Sequence, residues 1–131
     1  MKLHHVGVAV KSLAEGVAHY KRMGMRLAHQ EDVPAQGVKV AFMGEGPYVE
    51  LLEPLCPESL VSKFIDKRGP GQHHLAFAVP SIAEELKRQK EAGARLIDQA
   101  ARRGAWGHLV AFLHPSGQGG VLIELVEESH G

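Results

Sequence analysis

The strongest constraint on this chain is that it repeats itself. Residues 4–30, HHVGVAVKSLAEGVAHYKRMGMRLAHQ, align without a gap on residues 73–99, HHLAFAVPSIAEELKRQKEAGARLIDQ. Twelve of the 27 positions are identical: His4/His73, His5/His74, Ala9/Ala78, Val10/Val79, Ser12/Ser81, Ala14/Ala83, Glu15/Glu84, Lys21/Lys90, Gly24/Gly93, Arg26/Arg95, Leu27/Leu96 and Gln30/Gln99. Later segments echo too. Val40-Ala41-Phe42 returns as Val110-Ala111-Phe112, and Val49-Glu50-Leu51-Leu52-Glu53 as Ile123-Glu124-Leu125-Val126-Glu127. One module is used twice. A copy of about 55 residues is marginal alone, so the two are expected to pack into a single domain over residues 1–131. Module one is placed at about 1–55, a linker helix at about 56–72 and module two at about 73–131.

Within module one, residues 3–10 alternate as a strand. Leu3, His5, Gly7 and Ala9 share one face; His4, Val6, Val8 and Val10 share the other. Ser12-Leu13-Ala14-Glu15 has the form of a capping box. It predicts a helix to about Met23, with Gly24 as the left-handed residue beyond its end. Strands are expected near 25–32, 37–44 and 48–53, with Gly44-Glu45-Gly46-Pro47 as the turn before the last.

Module two carries the same punctuation. A strand over 73–79 places His74, Ala76 and Ala78 on one face, Ser81-Ile82-Ala83-Glu84 is a second capping box, and Gly93 ends the helix. Strands near 94–99, 108–114 and 120–127 complete the copy. Between the modules, Glu58 to Arg68 fits a short amphipathic helix with Val61, Phe64 and Ile65 on one side, stopped by Gly69-Pro70-Gly71. The expected class is α+β: two βαβββ modules whose curled mixed sheets form a concave metal site.

Composition removes several function classes. Lys+Arg and Asp+Glu number 15 each and the pI is about 7.1, so no global charge points to nucleic acid. A single cysteine, Cys56, excludes an intramolecular disulfide and fits a reducing compartment. It sits beside Pro57 with no basic neighbour in sequence and is read as inert. No apolar run approaches the ~20 residues of a membrane span. A strand pattern begins at once, leaving no room for a signal or transit peptide, and a cytoplasmic location is the expectation. Nucleophile-elbow, Walker, zincin and Rossmann motifs do not occur.

Duplication turns scattered polar residues into a constellation. Module one offers His5 on its first strand and Glu50 on its last; module two offers His74 and Glu124 at matching places. Beside each histidine the same face carries only small residues, Gly7 and Ala9 or Ala76 and Ala78, leaving room for the imidazole. A lone histidine is more often structural, and a strand glutamate can be an exposed edge charge. Here both glutamates lie inside apolar strands, where a carboxylate needs a partner. Two imidazoles and two carboxylates fit one divalent metal, with Co, Mn, Zn, Ni and Mg all compatible. His4 and His73 alternate to the opposite face and are assigned structural roles. His19 and His29 are read as surface or edge residues. His108 and His114 occur in module two only, and His114 is placed at the cavity lining.

Longer strings carry a resemblance. They are Gln36-Gly37-Val38-Lys39-Val40-Ala41-Phe42, Glu50-Leu51-Leu52-Glu53-Pro54-Leu55 and Lys63-Phe64-Ile65-Asp66-Lys67-Arg68-Gly69. To these add His73-His74-Leu75-Ala76-Phe77, Val110-Ala111-Phe112-Leu113-His114-Pro115 and Gly119-Gly120-Val121-Leu122-Ile123-Glu124-Leu125-Val126. Over essentially its whole length the chain resembles the methylmalonyl-CoA epimerase family of the vicinal oxygen chelate (glyoxalase/bleomycin resistance/dioxygenase) superfamily.

The resemblance implies that His5, Glu50, His74 and Glu124 hold a divalent metal. It implies interconversion of (2R)- and (2S)-methylmalonyl-CoA by proton abstraction and return at C2 through an enolate, an acyl-CoA substrate and a homodimer. Glu124 is then the first candidate base, through a carboxylate oxygen not engaged by the metal. Some family members carry a glutamate in the strand after Gln-Gly-Val and a glutamine at the second metal position. This chain has Val40 and Glu50 there, which makes Glu50 both ligand and second base, with His114 or a metal-bound water as alternatives.

Two further departures from the family pattern stand out. The helix ending Tyr20-Lys21-Arg22-Met23-Gly24 is one residue shorter, and Trp106 occupies a loop where relatives carry other residues. Trp106 is read as a cover for the cavity mouth, or as packing on the acyl or adenine portion of the substrate. Lys63, Lys67, Arg68, Arg102 and Arg103 are basic groups available to CoA phosphates, or simply solvated.

Three other readings compete with this one. One is a glyoxalase I-like metal isomerase of a glutathione hemithioacetal. Another is a metal-free small-molecule-binding protein of the same fold, opposed by four intact ligands. The third is a ring-cleaving dioxygenase, opposed by the fourth protein ligand.

Overall fold

The computed structural model describes residues 1–129. In chain order its elements are β1 (Lys2–Ala9), α1 (Leu13–Arg22), β2 (Leu27–Val33), β3 (Val38–Met43), β4 (Tyr48–Pro54), α2 (Leu60–Arg68) and β5 (Gly71–Ala78). They continue with α3 (Ile82–Glu91), β6 (Arg102–Arg103), β7 (Leu109–Leu113) and β8 (Ile123–Glu127). The α+β class and the repeated βαβββ order are those expected from the duplication. Two compact units divide the chain: His5–His73 form one, and Met1–His4 join the chain from His74 onward in the other.

Inside the first unit the strands lie in the order β2-β3-β4-β1. β1 runs parallel to β4, while β3 is antiparallel to both β4 and β2. The second unit repeats this as β6-β7-β8-β5, with β5 parallel to β8 and β7 antiparallel to its two neighbours. Mixed sheets arise because an α-helix carries the chain across from the first strand of each module, whereas shorter connections link the rest.

Helix starts use the serine half of each capping box. Ser12 and Ser81, both extended, accept from the N–H groups of Glu15 and Glu84 at 3.2 and 3.3 Å. Past the helix ends Gly24 and Gly93 take φ of +95° and +91°, values that disfavour any Cβ. Against the α1 face, Leu13, Ala41, Met43 and Leu51 form a buried core, and α1 approaches so closely that a Cβ on Gly16 would meet Leu51 Cδ1 at 3.0 Å. The α3 counterpart is Val79, Ile82, Leu86, Ala111, Leu113 and Leu125.

The position matching Gly16 is Glu85, largely buried on α3. Burial alone would raise its carboxyl pKa, but hydrogen bonds from Arg88 and Gln89 and the Arg88 charge outweigh this and hold it below the usual carboxylate value. Arg88 Nη2 reaches both carboxylate oxygens at 2.8 and 2.6 Å, and Gln89 Nε2 donates at 2.7 Å.

One expected strand is not formed as such. Residues 94–99 make only an isolated bridge, Leu96 to Leu113, and the short β6 takes the edge of the sheet instead. The Asp98 carboxylate accepts from the Phe112 N–H at 2.8 Å, occupying a donor that a regular ladder would use. The linker helix begins at Leu60 rather than Glu58, because Ser59 caps it through the Ser62 N–H.

Candidate metal and active site

Each module builds the same corner. In the first unit β1 and β4 pair so that Gly7 lies opposite Glu50 and His5 opposite Tyr48. His5 is two residues before Gly7, so it shares the glutamate's face. With no side chain at Gly7, the imidazole spans the diagonal, and Nε2 sits 3.1 Å from Glu50 Oε1. The second unit repeats this: Ala76 lies opposite Glu124, and His74 Nε2 sits 2.9 Å from Glu124 Oε1. The small residues read from the sequence as room for the ring serve that purpose.

All four side chains are at least nine-tenths buried. Ionised carboxylates taken this far from water need a compensating cation or strong hydrogen bonds, and in each corner the imidazole supplies one such contact. Phenyl rings complete the corners, which the sequence reading did not assign. Phe42 is the cross-strand neighbour of Glu50 and meets the His5 ring edge-on at 5.5 Å; Phe112 does the same for Glu124 and His74 at 5.8 Å. Each ring thus packs edge-on beside the imidazole whose Nε2 meets the carboxylate. The Val-Ala-Phe echo was the signal that could have identified them.

The remaining candidates separate from these corners. His19 is exposed, and His29 on the edge strand pairs with Glu31 at 2.9 Å. His114 Nδ1 accepts from the Ser116 N–H at 3.0 Å, stabilising its own turn. Cys56 is exposed. His73 packs edge-on against Phe64 at 4.9 Å, in keeping with a structural role. His4 is buried and stands edge-on to His108 at 5.4 Å. With Glu128 these two bring potential ligand atoms within 4.8 Å of one another. However, His108 Nδ1 accepts the Ser129 N–H at 3.0 Å, so in the neutral ring Nε2 carries the proton.

Trp106 has a left-handed backbone, φ +63° and ψ +20°, and its indole lies tilted 5.8 Å from the His108 ring. Lys63, Lys67, Arg68, Arg102 and Arg103 are exposed, with Arg68 over Phe64 and Arg102 over Phe112. Among the described residues no helix is long and apolar enough to cross a membrane.

Comparison with known proteins fixes the lineage. A model of the Glyoxalase/Bleomycin resistance protein/Dioxygenase superfamily matches residues 4–112. Mitochondrial methylmalonyl-CoA epimerase of Bos taurus is 39% identical over 127 residues, spanning 95% of this chain and 73% of that protein. The chain belongs to the methylmalonyl-CoA epimerase family. Solved structures agree. Methylmalonyl-CoA epimerase from Mycobacterium tuberculosis superposes with a TM-score of 0.93 at 38% identity, over 98% of this chain and 89% of that one. A variant of the Streptomyces coelicolor methylmalonyl-CoA epimerase, in complex with 2-nitronate-propionyl-CoA, gives 0.94 at 32% identity over 99% of both chains. Like the rest of the epimerase family, the protein is an isomerase.

Proposed function

We propose that this chain interconverts (2R)- and (2S)-methylmalonyl-CoA, and that His5, Glu50, His74 and Glu124 together ligate one divalent metal ion. The observation that carries it is the identical, buried His–Glu corner in each module. The donor set fits such an ion: two imidazole nitrogens and two carboxylates, buried at all four positions and formally neutral with M²⁺. The substrate is drawn from the family, whose Streptomyces coelicolor member was solved with a CoA derivative. The donor set does not select among Co, Mn, Zn, Ni and Mg.

Inversion at C2 requires removing a proton from one side of the carbon and returning one from the other. C2 lies between a thioester and a carboxylate, so the carbanion left behind delocalises as an enolate. When bound, the metal would act as a Lewis acid on substrate oxygens and ease that ionisation. Glu50 and Glu124 come from duplicated strands, which supplies a pair of carboxylates for the two faces. Each would exchange one proton with C2 through a carboxylate oxygen within hydrogen-bond reach. The imidazoles of His5 and His74 hold those carboxylates in place, and burial keeps competing water out.

The experiment is deuterium exchange at C2 of methylmalonyl-CoA in D₂O, followed by NMR, beside turnover of methylglyoxal with glutathione. Exchange and epimerisation without lactoylglutathione formation is the expected outcome. Glyoxalase turnover without C2 exchange would overturn the assignment.

A further inference from the structure

We propose that Glu53 and Glu127 are positioning residues, each setting the alignment of one His–Glu corner from the far side of its strand. The basis is the metal-ligand role of those corners proposed above. Glu53 lies three residues after Glu50 on β4, and Glu127 three after Glu124 on β8, so each leaves the strand on the face opposite the ligand. Glu53 Oε1 accepts from the Leu13 N–H, the first residue of α1, at 2.7 Å. Glu127 Oε1 accepts from the Ile82 N–H, the first residue of α3, at 2.9 Å. These bonds span 40 and 45 residues of sequence.

Their consequence lies in the connection. Only Val10, Lys11 and Ser12 separate β1 from α1, and Val79, Pro80 and Ser81 separate β5 from α3. Holding the first helical residue therefore holds the histidine strand along its partner. The Val10 N–H to Leu52 O bond, 2.9 Å, and the Val79 N–H to Val126 O bond, 2.8 Å, lie within the same short span. A one-residue slip of either strand would carry its ligand to the wrong face. The corner needs that register, since the imidazole crosses beside Gly7 or Ala76 to reach the glutamate.

The serine caps do not duplicate these contacts: Ser12 and Ser81 accept from the third helical N–H, of Glu15 and Glu84, whereas the strand glutamates take the first. Ion pairing does not account for the pair. Glu53 has Lys39 as cross-strand neighbour, with Nζ 3.9 Å from Oε2, but Glu127 faces Leu109. What both modules keep is the bond from the ligand strand to the helix start.

The test is titration of the full-length protein with Co²⁺, read by calorimetry and by the visible d–d absorption of the bound ion. It is run at a temperature where circular dichroism shows each variant folded. Glu53→Ala is expected to weaken Co²⁺ binding by about 10-fold or more and to alter the d–d bands, with Glu53→Gln, which keeps the carbonyl acceptor, recovering most of the affinity. Ser12→Ala removes the other cap of α1 and is expected to change affinity by no more than about twofold. Glu127→Ala, Glu127→Gln and Ser81→Ala repeat the comparison in module two.

Equal losses in Ser12→Ala and Glu53→Ala, or unchanged Co²⁺ binding in both alanine variants, would overturn positioning while leaving the metal assignment standing. A wild-type protein that takes up no Co²⁺ would overturn the metal assignment and this inference with it.

Discussion

Replacing Glu50 by glutamine separates the two roles proposed for it. The amide is nearly isosteric with the carboxylate, so packing beside Phe42 is preserved, and its carbonyl can still accept from His5 Nε2, 3.1 Å away in the wild type. The fold should therefore lose no more than about 1 kcal/mol, a few degrees in Tm. An amide oxygen still ligates a divalent ion, though less strongly, and a fall in metal affinity of about 10-fold is expected. Proton transfer is different, because an amide has no useful basicity. Loss of a positioned base costs about 10²–10⁴-fold in kcat, or ~3–5 kcal/mol of barrier. Epimerisation measured at saturating metal, beside calorimetric metal affinity, gives the two numbers separately. If turnover at saturating metal fell no further than metal affinity, Glu50 would be a ligand only, and the second base would lie elsewhere.

Two other perturbations probe the scaffold. Ile82, the first residue of α3, is fully buried, so Ile82→Ala should destabilise by about 2–5 kcal/mol, lowering the urea midpoint with little change in m; a shift too small to measure would contradict the packing described. Glu85 has a depressed pKa, so its contribution to stability is present above its unfolded value of about 4.3 and is lost as pH falls through the lower folded value. Glu85→Gln should therefore flatten the acid limb of Tm against pH below about 4.3; an unchanged acid limb would show that the Arg88–Gln89 clasp is energetically silent.

Much of this architecture was legible because duplication lets each half check the other. The Ser-x-x-Glu starts and the glycines after each helix are local signals, and both act locally, at Ser12, Ser81, Gly24 and Gly93. The corners were legible for a related reason: His5 and His74 stand among small residues on one strand face, and Glu50 and Glu124 interrupt apolar strands.

What could not be read depends on contacts between distant residues. In the sequence Glu53 and Glu127 are only matching residues of a repeated strand, and the fold alone brings them to helix starts 40 and 45 residues away. Residues 94–99 have strand composition, but Asp98 takes the Phe112 N–H for itself. The left-handed Trp106 defies a propensity that would place glycine there.

The central claim is that both corners serve one ion. Metal content per chain, measured by mass spectrometry after loading and desalting wild type, His5→Ala and His74→Ala, tests it most directly. One ion per wild-type chain, lost in either variant, is the predicted result. Two ions per chain, or one retained after a single substitution, would contradict it.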